Sequence, residues 1–514
     1  MKKFVLLLAA SLTGAAWMSA QETQGVCGTS ADDQLTERLL ANIEKVNAGQ
    51  AVSNRGSIRY VPIHFHLVGD ASGDGKVKEN KVLDQLCALN AAYEPFDIRF
   101  YLSPHPTIGT LFDYTINATN VYTNQSAWLS MHNKRHPNAL NVYIVDNAES
   151  GNPTSGGITL AYYNIPRDWV VSRRDRVNGQ ANNSTLPHEV GHFFSLLHTF
   201  NGWDFDKFDP SSPGWPIAPA LSPLGVPCEK MDGSNCTTAG DYICDTPPDY
   251  NFGYGNSGCT YTAGAKDPMG VLIDPMENNM MGYFESCAKY EFTAGQAALI
   301  SADLASSTRN YLDNNFTPAA TTITTPTDLL IAPVGNQTTA YFDEVLLEWK
   351  PVDGATYYLV DVDIVSSFVT PSLQTFVVSS TSKLITSLQA GRTYFWRVRP
   401  FNEYYVCAGV RQGSFKTSAI SATHTIEDLN AWNVAPNPVT GNTLGLRIDA
   451  KKGFDAKLLV VTATGQVVFE NTALNISSGE TSIELPLNNL QNGLYFAVLR
   501  NNEGQSVRKF SVMR

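Results

Sequence analysis

The densest chemistry in the chain lies in His188-Glu189-Val190-Gly191-His192. Two histidines four residues apart on a helix share one face, about one turn or roughly 5–6 Å from each other. Both ring nitrogens then reach a single metal ion at about 2.0–2.1 Å. Glu189 stands beside the metal without having to bind it, which suits a general base for a metal-activated water. His198 follows His192 by six residues. It leaves the face of a straight helix and becomes a third ligand only if the chain bends sharply after His192. The pair alone also fits an amphipathic core helix. The third histidine, with Thr199 and Phe200 behind it, favours the metal site.

The flanks must position these groups. Asn182, Asn183 and Ser184 are capping types, and Pro187 is tolerated only near a helix start. Val190, Phe193, Phe194 and Leu197 supply apolar surface to seat the helix. Upstream, Arg59 to Val68 alternates as a strand, with His64 and His66 on one face. Those two could bind metal, but sheet packing is the plainer reading. Glu79 to Tyr93 has the spacing of an amphipathic helix, and Ile98 to Leu102, Leu140 to Val145 and residues 156–163 read as strands. The last of these precedes the metal helix and is the expected edge for an extended substrate backbone. Strands and helices alternate up to the helix, which predicts an α/β domain with a mixed sheet.

Beyond His198 the periodicity dissolves. Residues 199–275 are rich in Gly, Pro, Asp and Asn, and a loop that long is functional or disordered. It holds Cys228, Cys236, Cys244 and Cys259, with Cys287 soon after, so disulfides can hold it without a large core. Asp204, Asp206 and Asp209 could form a second acidic cluster for a cation, but solvated loop acids are the plainer reading. Gly240-Asp241-Tyr242-Ile243-Cys244-Asp245 reads on its own as an acidic turn. Thr293 and Gln296 form a capping-box pattern opening a helix expected to end near Leu312.

The N-terminus looks like a secretory signal over residues 1–20, with Lys2 and Lys3 before an apolar run and a small-residue site at Ser19-Ala20. That run is too short to span a membrane, and no other stretch reaches the roughly 18 residues needed. Length, 514 residues, predicts about three domains. The net charge of −12 argues against nucleic-acid binding. Eight cysteines in an exported chain make disulfides expected. Residues 21–55 read as a removable propeptide with a helical stripe of Leu35, Leu39, Leu40, Ile43 and Val46. Arg55 and Arg59 are candidate maturation sites. Cys27 could be a disulfide partner or a spare thiol. It could also be a latch, because a thiolate is a good zinc ligand and would fill the place the catalytic water needs.

The run HEVGHFFSLLHTF resembles the pappalysin branch of the metzincin zinc peptidases. The resemblance covers residues 27 to about 310. It implies that His188, His192 and His198 bind Zn²⁺, with Glu189 as the base. It implies Met281 in a methionine turn beneath the metal and Tyr283 as a phenol near it, able to hydrogen-bond an oxyanion. It also implies Cys27 as a zinc ligand in a latent precursor, a Cys259–Cys287 disulfide, and calcium at Asp241 and Asp245, whose carboxylates are suitable hard ligands. One departure is Ser195, where that family has glycine. A positive φ on serine costs about 1 kcal/mol or more.

The catalytic domain is expected over residues 56–315, followed by a Thr- and Pro-rich linker at 316–328. Residues 329–418 read as short strands, and Leu388 to Tyr394 resembles the tyrosine corner of fibronectin type III domains, with Trp349 as a core tryptophan. After a second linker at 419–431, residues 432–514 form another small all-β unit. Its ordered motifs at Ala435-Pro436-Asn437-Pro438, Thr464-Gly465-Gln466, Leu490 to Tyr495 and the terminal Arg514 resemble the C-terminal sorting domain of the type IX (Por) secretion system. The expected architecture is therefore multidomain: an α/β metzincin-type catalytic domain with a mixed sheet plus zinc helix, then two all-β sandwich domains. The expected function is a secreted zinc endopeptidase acting on proteins or peptides. Export by the type IX machinery across both membranes of a Gram-negative bacterium would leave it secreted or attached to the cell surface. The competing reading is a surface adhesin that has lost activity and binds through the fibronectin-like module.

Overall fold

The computed structural model describes residues 25–29, 33–50, 57–107, 109–149, 158–177, 183–211, 216–312, 318, 322–420 and 426–514. The signal segment, Arg55 and Asn182 lie outside them. In chain order the first part comprises β1 (Gly25–Cys27), α1 (Asp33–Asn47), β2 (Arg59–Leu67), α2 (Glu79–Tyr93), β3 (Ile98–Leu102), β4 (Phe112–Asp113), α3 (Gln125–Lys134), β5 (Leu140–Val145), β6 (Ile158–Asn164), β7 (Trp169–Arg173), α4 (Thr185–Phe193) and α5 (Ala294–Leu304).

One sheet runs β1-β6-β7-β5-β2-β3, with β4 beside β2. Its neighbours are parallel except β6 and β7. This is the mixed α/β sheet the sequence predicts. β2 is central, and eight of its nine residues are buried rather than alternate ones, as expected where both faces are covered. On one face Val61, Ile63 and Phe65 pack with Leu83 and Leu86 of α2 and Val190 and Phe193 of α4. On the other, Tyr143, Tyr162 and Trp169 pack with Met131 of α3.

Beyond β6 the N-terminal strand β1 closes that side of the sheet. The pairing is parallel, Gly25 against Ile158 and Cys27 against Ala161. From there α1 crosses to α5, burying Leu35 and Leu39 in the main core.

Residues 199–275 contain no helix or strand among those described. Two disulfides staple this region, Cys236–Cys244 and Cys259–Cys287. Cys228 and Cys27 are free and buried. α5 stops at Leu304, with a separate 3-10 turn at Ser307–Arg309, short of the expected Leu312. Arg309 there turns inward to Asp303 and Asp168, which a continuous helix would not allow.

The remaining strands form two further β units. In the first, Trp349, Trp396 and Phe415 centre the core, and the Tyr394 hydroxyl accepts from Gln389 N at 3.0 Å. That unit is tied to α2 by a disulfide, Cys87–Cys407, and by the Arg399–Asp84 ion pair at 2.5 Å. Phe401 and Val406 join the core of the sheet domain. Ile323 and Thr325, in the stretch read as linker, are buried, and Ile323 belongs to the second core. The last unit packs Trp432, Leu458 and Phe510 inside and rests on the middle one through Leu384, Leu459 and Val498.

Candidate metal centre

α4 is nine residues long and ends at Phe193, one residue past His192. The chain then reverses. Leu196 N donates to Gly191 O at 3.0 Å and Ser195 N to His192 O at 2.9 Å. Ser195 adopts φ 71°, the left-handed conformation that favours glycine. The bend swings His198 back over the helix, as three-histidine ligation requires.

The three Nε2 atoms form a triangle with sides of 3.2 Å. Each Nδ1 is already committed: His188 to Met280 O at 2.8 Å, His192 to Leu196 O at 2.7 Å, His198 to Asp204 Oδ1 at 2.7 Å. Those acceptors put the ring proton on Nδ1 and leave a lone pair on each Nε2. Three lone pairs converging in a buried space repel one another unless a cation sits among them. The centre of such a triangle lies about 1.8–1.9 Å from each corner, so an ion slightly out of plane meets the usual zinc–nitrogen distance of about 2.0–2.1 Å. Burial, together with the neighbouring rings, lowers His188 to about 3 and His192 well below its ordinary value, keeping both in the neutral, ligating form. The donor set therefore fits a small divalent metal.

Cys27 joins this set. Its Sγ and one nitrogen from each of the three rings all lie within 4.8 Å of one another. Sγ is also 3.3 Å from Glu189 Oε2, which accepts from Thr29 Oγ1 at 3.1 Å. Burial pushes the Glu189 carboxyl up to about 8 despite these hydrogen bonds. Burial, then Glu189, pushes the Cys27 thiol well above its ordinary value; a bound metal reverses that direction for a coordinating thiol.

Met281 is fully buried and packs against Gly191 of α4. A Cβ on Gly191 would come within 2.4 Å of the Met281 sulfur, so glycine is what lets helix and turn approach. Asn279 Oδ1 accepts from Met281 N at 2.9 Å, and its side chain exchanges bonds with Gln296 at 3.1 Å. The Tyr283 ring lies 5.1 Å from that of His198. Its hydroxyl accepts from Cys27 N at 3.0 Å and donates to Cys27 O at 3.2 Å.

Asp241 and Asp245 are not equivalent. Asp245 is exposed and accepts from Thr293 Oγ1 and Gly295 N, both at 2.7 Å, capping α5. Asp241 is buried; its Oδ2 has no partner, and burial raises its carboxyl to about 8. Asp204 is no solvated loop acid: it is 9% exposed and orients His198. Its spacing from His198 carries no signal, because only the bend brings it to the ring.

α1 grips the back of the site. Asn42 Nδ2 donates to Ser195 Oγ and to Asp303 Oδ1, both at 2.9 Å. Arg38 pairs with Asp303 at 3.2 Å and donates to Phe193 O at 2.9 Å. The residue at the strained bend is thus among those the N-terminal helix touches.

Three converging imidazole nitrogens beside a buried carboxylate make up a donor set suited to a divalent metal. The chain is similar to an extracellular metalloprotease of Sordaria macrospora, 29% identical over 316 residues, covering 57% of this chain and 92% of that protein. It resembles one from Neurospora crassa to the same identity over 315 residues, 56% of this chain and 92% of that protein. A solved structure of a promirolysin mutant from Tannerella forsythia aligns at 17% identity and a TM-score of 0.36, covering 56% of this chain and 96% of that one. Residues 433–513 match the family described as "Secretion system C-terminal sorting domain". The chain is a metallopeptidase carrying a type IX sorting tail, secreted across the outer membrane. Among the described residues no helix is long and apolar enough to cross a membrane.

Proposed function

We propose that the protein is a zinc endopeptidase of pappalysin type, held latent by its N-terminal segment. The convergence of three imidazole Nε2 atoms at 3.2 Å beside Glu189 carries this reading. His188, His192 and His198 would hold the zinc, which would supply a Lewis acid for the scissile carbonyl and for water. Glu189 takes the proton of the attacking water and returns it to the leaving amine. The Tyr283 hydroxyl, released from Cys27, donates to the developing oxyanion. Met281 supports the ligands from below, and Asp204 holds His198 in its ligating tautomer.

In the precursor, residues 21–55 act as a propeptide. Cys27 Sγ would provide a fourth donor to the metal, Thr29 and Cys27 occupy Glu189, and β1 takes the sheet edge. Loss of the segment frees β6 to pair with an extended substrate backbone. Calcium binding centres on Asp241, whose unpartnered buried oxygen needs a cation or a donor, while Asp245 serves the α5 cap. The domain units run over residues 56–315, 329–418 and 432–514, the middle one a fibronectin type III-like sandwich and the last engaging the type IX machinery.

The test is cleavage of casein or gelatin by the processed protein. Chelator-sensitive cleavage should fall about 10²–10⁴-fold or more in Glu189→Ala, with stoichiometric metal retained. Full metal binding with no turnover in the unmutated protein would overturn the proposal.

A further inference from the structure

Beside the His188 and Glu189 end of the site opens a recess of about 250 Å³. Its walls include Leu160 of β6, Arg176 after β7, Thr185 at the start of α4, and Phe284, Glu285 and Tyr290 beyond the Met281 turn. Cys27 also lines it, so the recess and the reacting groups share one opening.

Arg176 is the cation of this wall. Its two neighbours are matched: Arg173 pairs with Asp175 at 2.9 Å and Arg174 with Asp146 at 2.7 Å. Arg176 forms no ion pair among the described residues, is half-buried, and its Nε is buried without a hydrogen-bond partner. A partly desolvated guanidinium with no counter-ion is unfavourable. It is also a ready fork for a carboxylate, which it can bind through two parallel N–H bonds. The first turn of α4 adds a partial positive charge of the same sign. Glu285 opposes this, but it is exposed to solvent, where its field is screened more strongly than that of Arg176.

Resting on the peptidase reading, we propose that Arg176 makes this recess a pocket for an acidic side chain. The preferred substrates then carry Glu or Asp at a position next to the scissile bond. The space and the charge belong to one wall of the reaction site, so selection acts on the bond that is cut. Glu285 is a weaker counterweight that limits the preference.

The experiment digests a proteome-derived peptide mixture with the processed protein and sequences the cleavage sites. Enrichment of Glu and Asp at one position flanking the cut is expected. For matched peptides differing only there, Arg176→Gln should lower the ratio of kcat/KM for the acidic over the neutral residue by about tenfold. Arg176→Glu should turn the preference toward Lys and Arg, and Glu285→Gln should increase the ratio. Because each is a ratio within one variant, partial loss of folded protein cancels. Cleavage with no acidic preference, or a ratio unmoved by Arg176→Gln, overturns this proposal while leaving the peptidase reading standing. No cleavage of any peptide overturns both.

Discussion

Ser195 carries two loads at once. It must hold φ 71° so that His198 reaches the metal, and it offers its hydroxyl to Asn42 of α1. Glycine would take the first role at lower cost, by up to about 1 kcal/mol, but would lose the second. Ser195→Gly should therefore leave the melting temperature of the precursor nearly unchanged and speed its maturation, whereas Asn42→Ala, which strips both buried bonds with no backbone relief, should lower the melting temperature and also speed maturation. Slower maturation in both would contradict the contact's restraining role. At this scale the histidines and Glu189 are legible in the sequence because helical periodicity places i and i+4 together. The sharp bend can also be anticipated, since six residues do not fit one face. Asp204, Asn42 and Arg38 are not legible, because their roles exist only after the chain has folded back on itself. Asp241 and Asp245 look alike in sequence and separate only when α5 claims the second.

Among the elements, α2, β3 and β5 begin and end where spacing and flanking residues place them. α3 and β7 give no such signal. α3 is short and mostly polar, with only Ala127 and Met131 buried, and β7 is five residues whose burial shows no alternation. β2 shows a further property of the sheet. His64 and His66 lie in a buried group with His105 and His136, with ring centroids 4.9–5.6 Å from His64. His64 donates through Nδ1 to Ser103 O at 2.8 Å and leaves Nε2 unpartnered. Burial first, then the charges of His66, His136 and His105, lowers it to about 3. Folded, the ring stays neutral; unfolded, it gains a proton below about pH 6.5. The unfolded chain then binds more protons, so stability contributed by this site is full above about 6.5 and falls as pH drops toward 3. Thermal melts from about pH 7.5 to 5 should show a decline that His64→Leu flattens. Parallel curves for the two proteins would contradict the assignment.

The whole molecule is more tightly joined than its composition suggests. The middle β unit is clamped to α2 by Cys87–Cys407 and shares the core of the sheet domain through Phe401 and Val406. Local spacing is silent about a bond spanning 320 residues, so this pairing is invisible in the sequence, whereas repeated short strands and turn glycines make the all-β class readable. The tail's ordered motifs are readable for the same reason, and the family match at 433–513 falls on them. Deleting residues 432–514 should leave the protein in the periplasm with its N-terminal disulfides formed; normal surface delivery would contradict the tail's role in export.

X-ray absorption at the zinc edge, on the full chain before and after loss of the N-terminal segment, tests the account most directly. The account predicts one zinc per chain with three nitrogens at about 2.0–2.1 Å throughout, joined by one sulfur at about 2.3 Å only in the precursor. A sulfur-free precursor spectrum, or fewer than three nitrogen donors after processing, would contradict it.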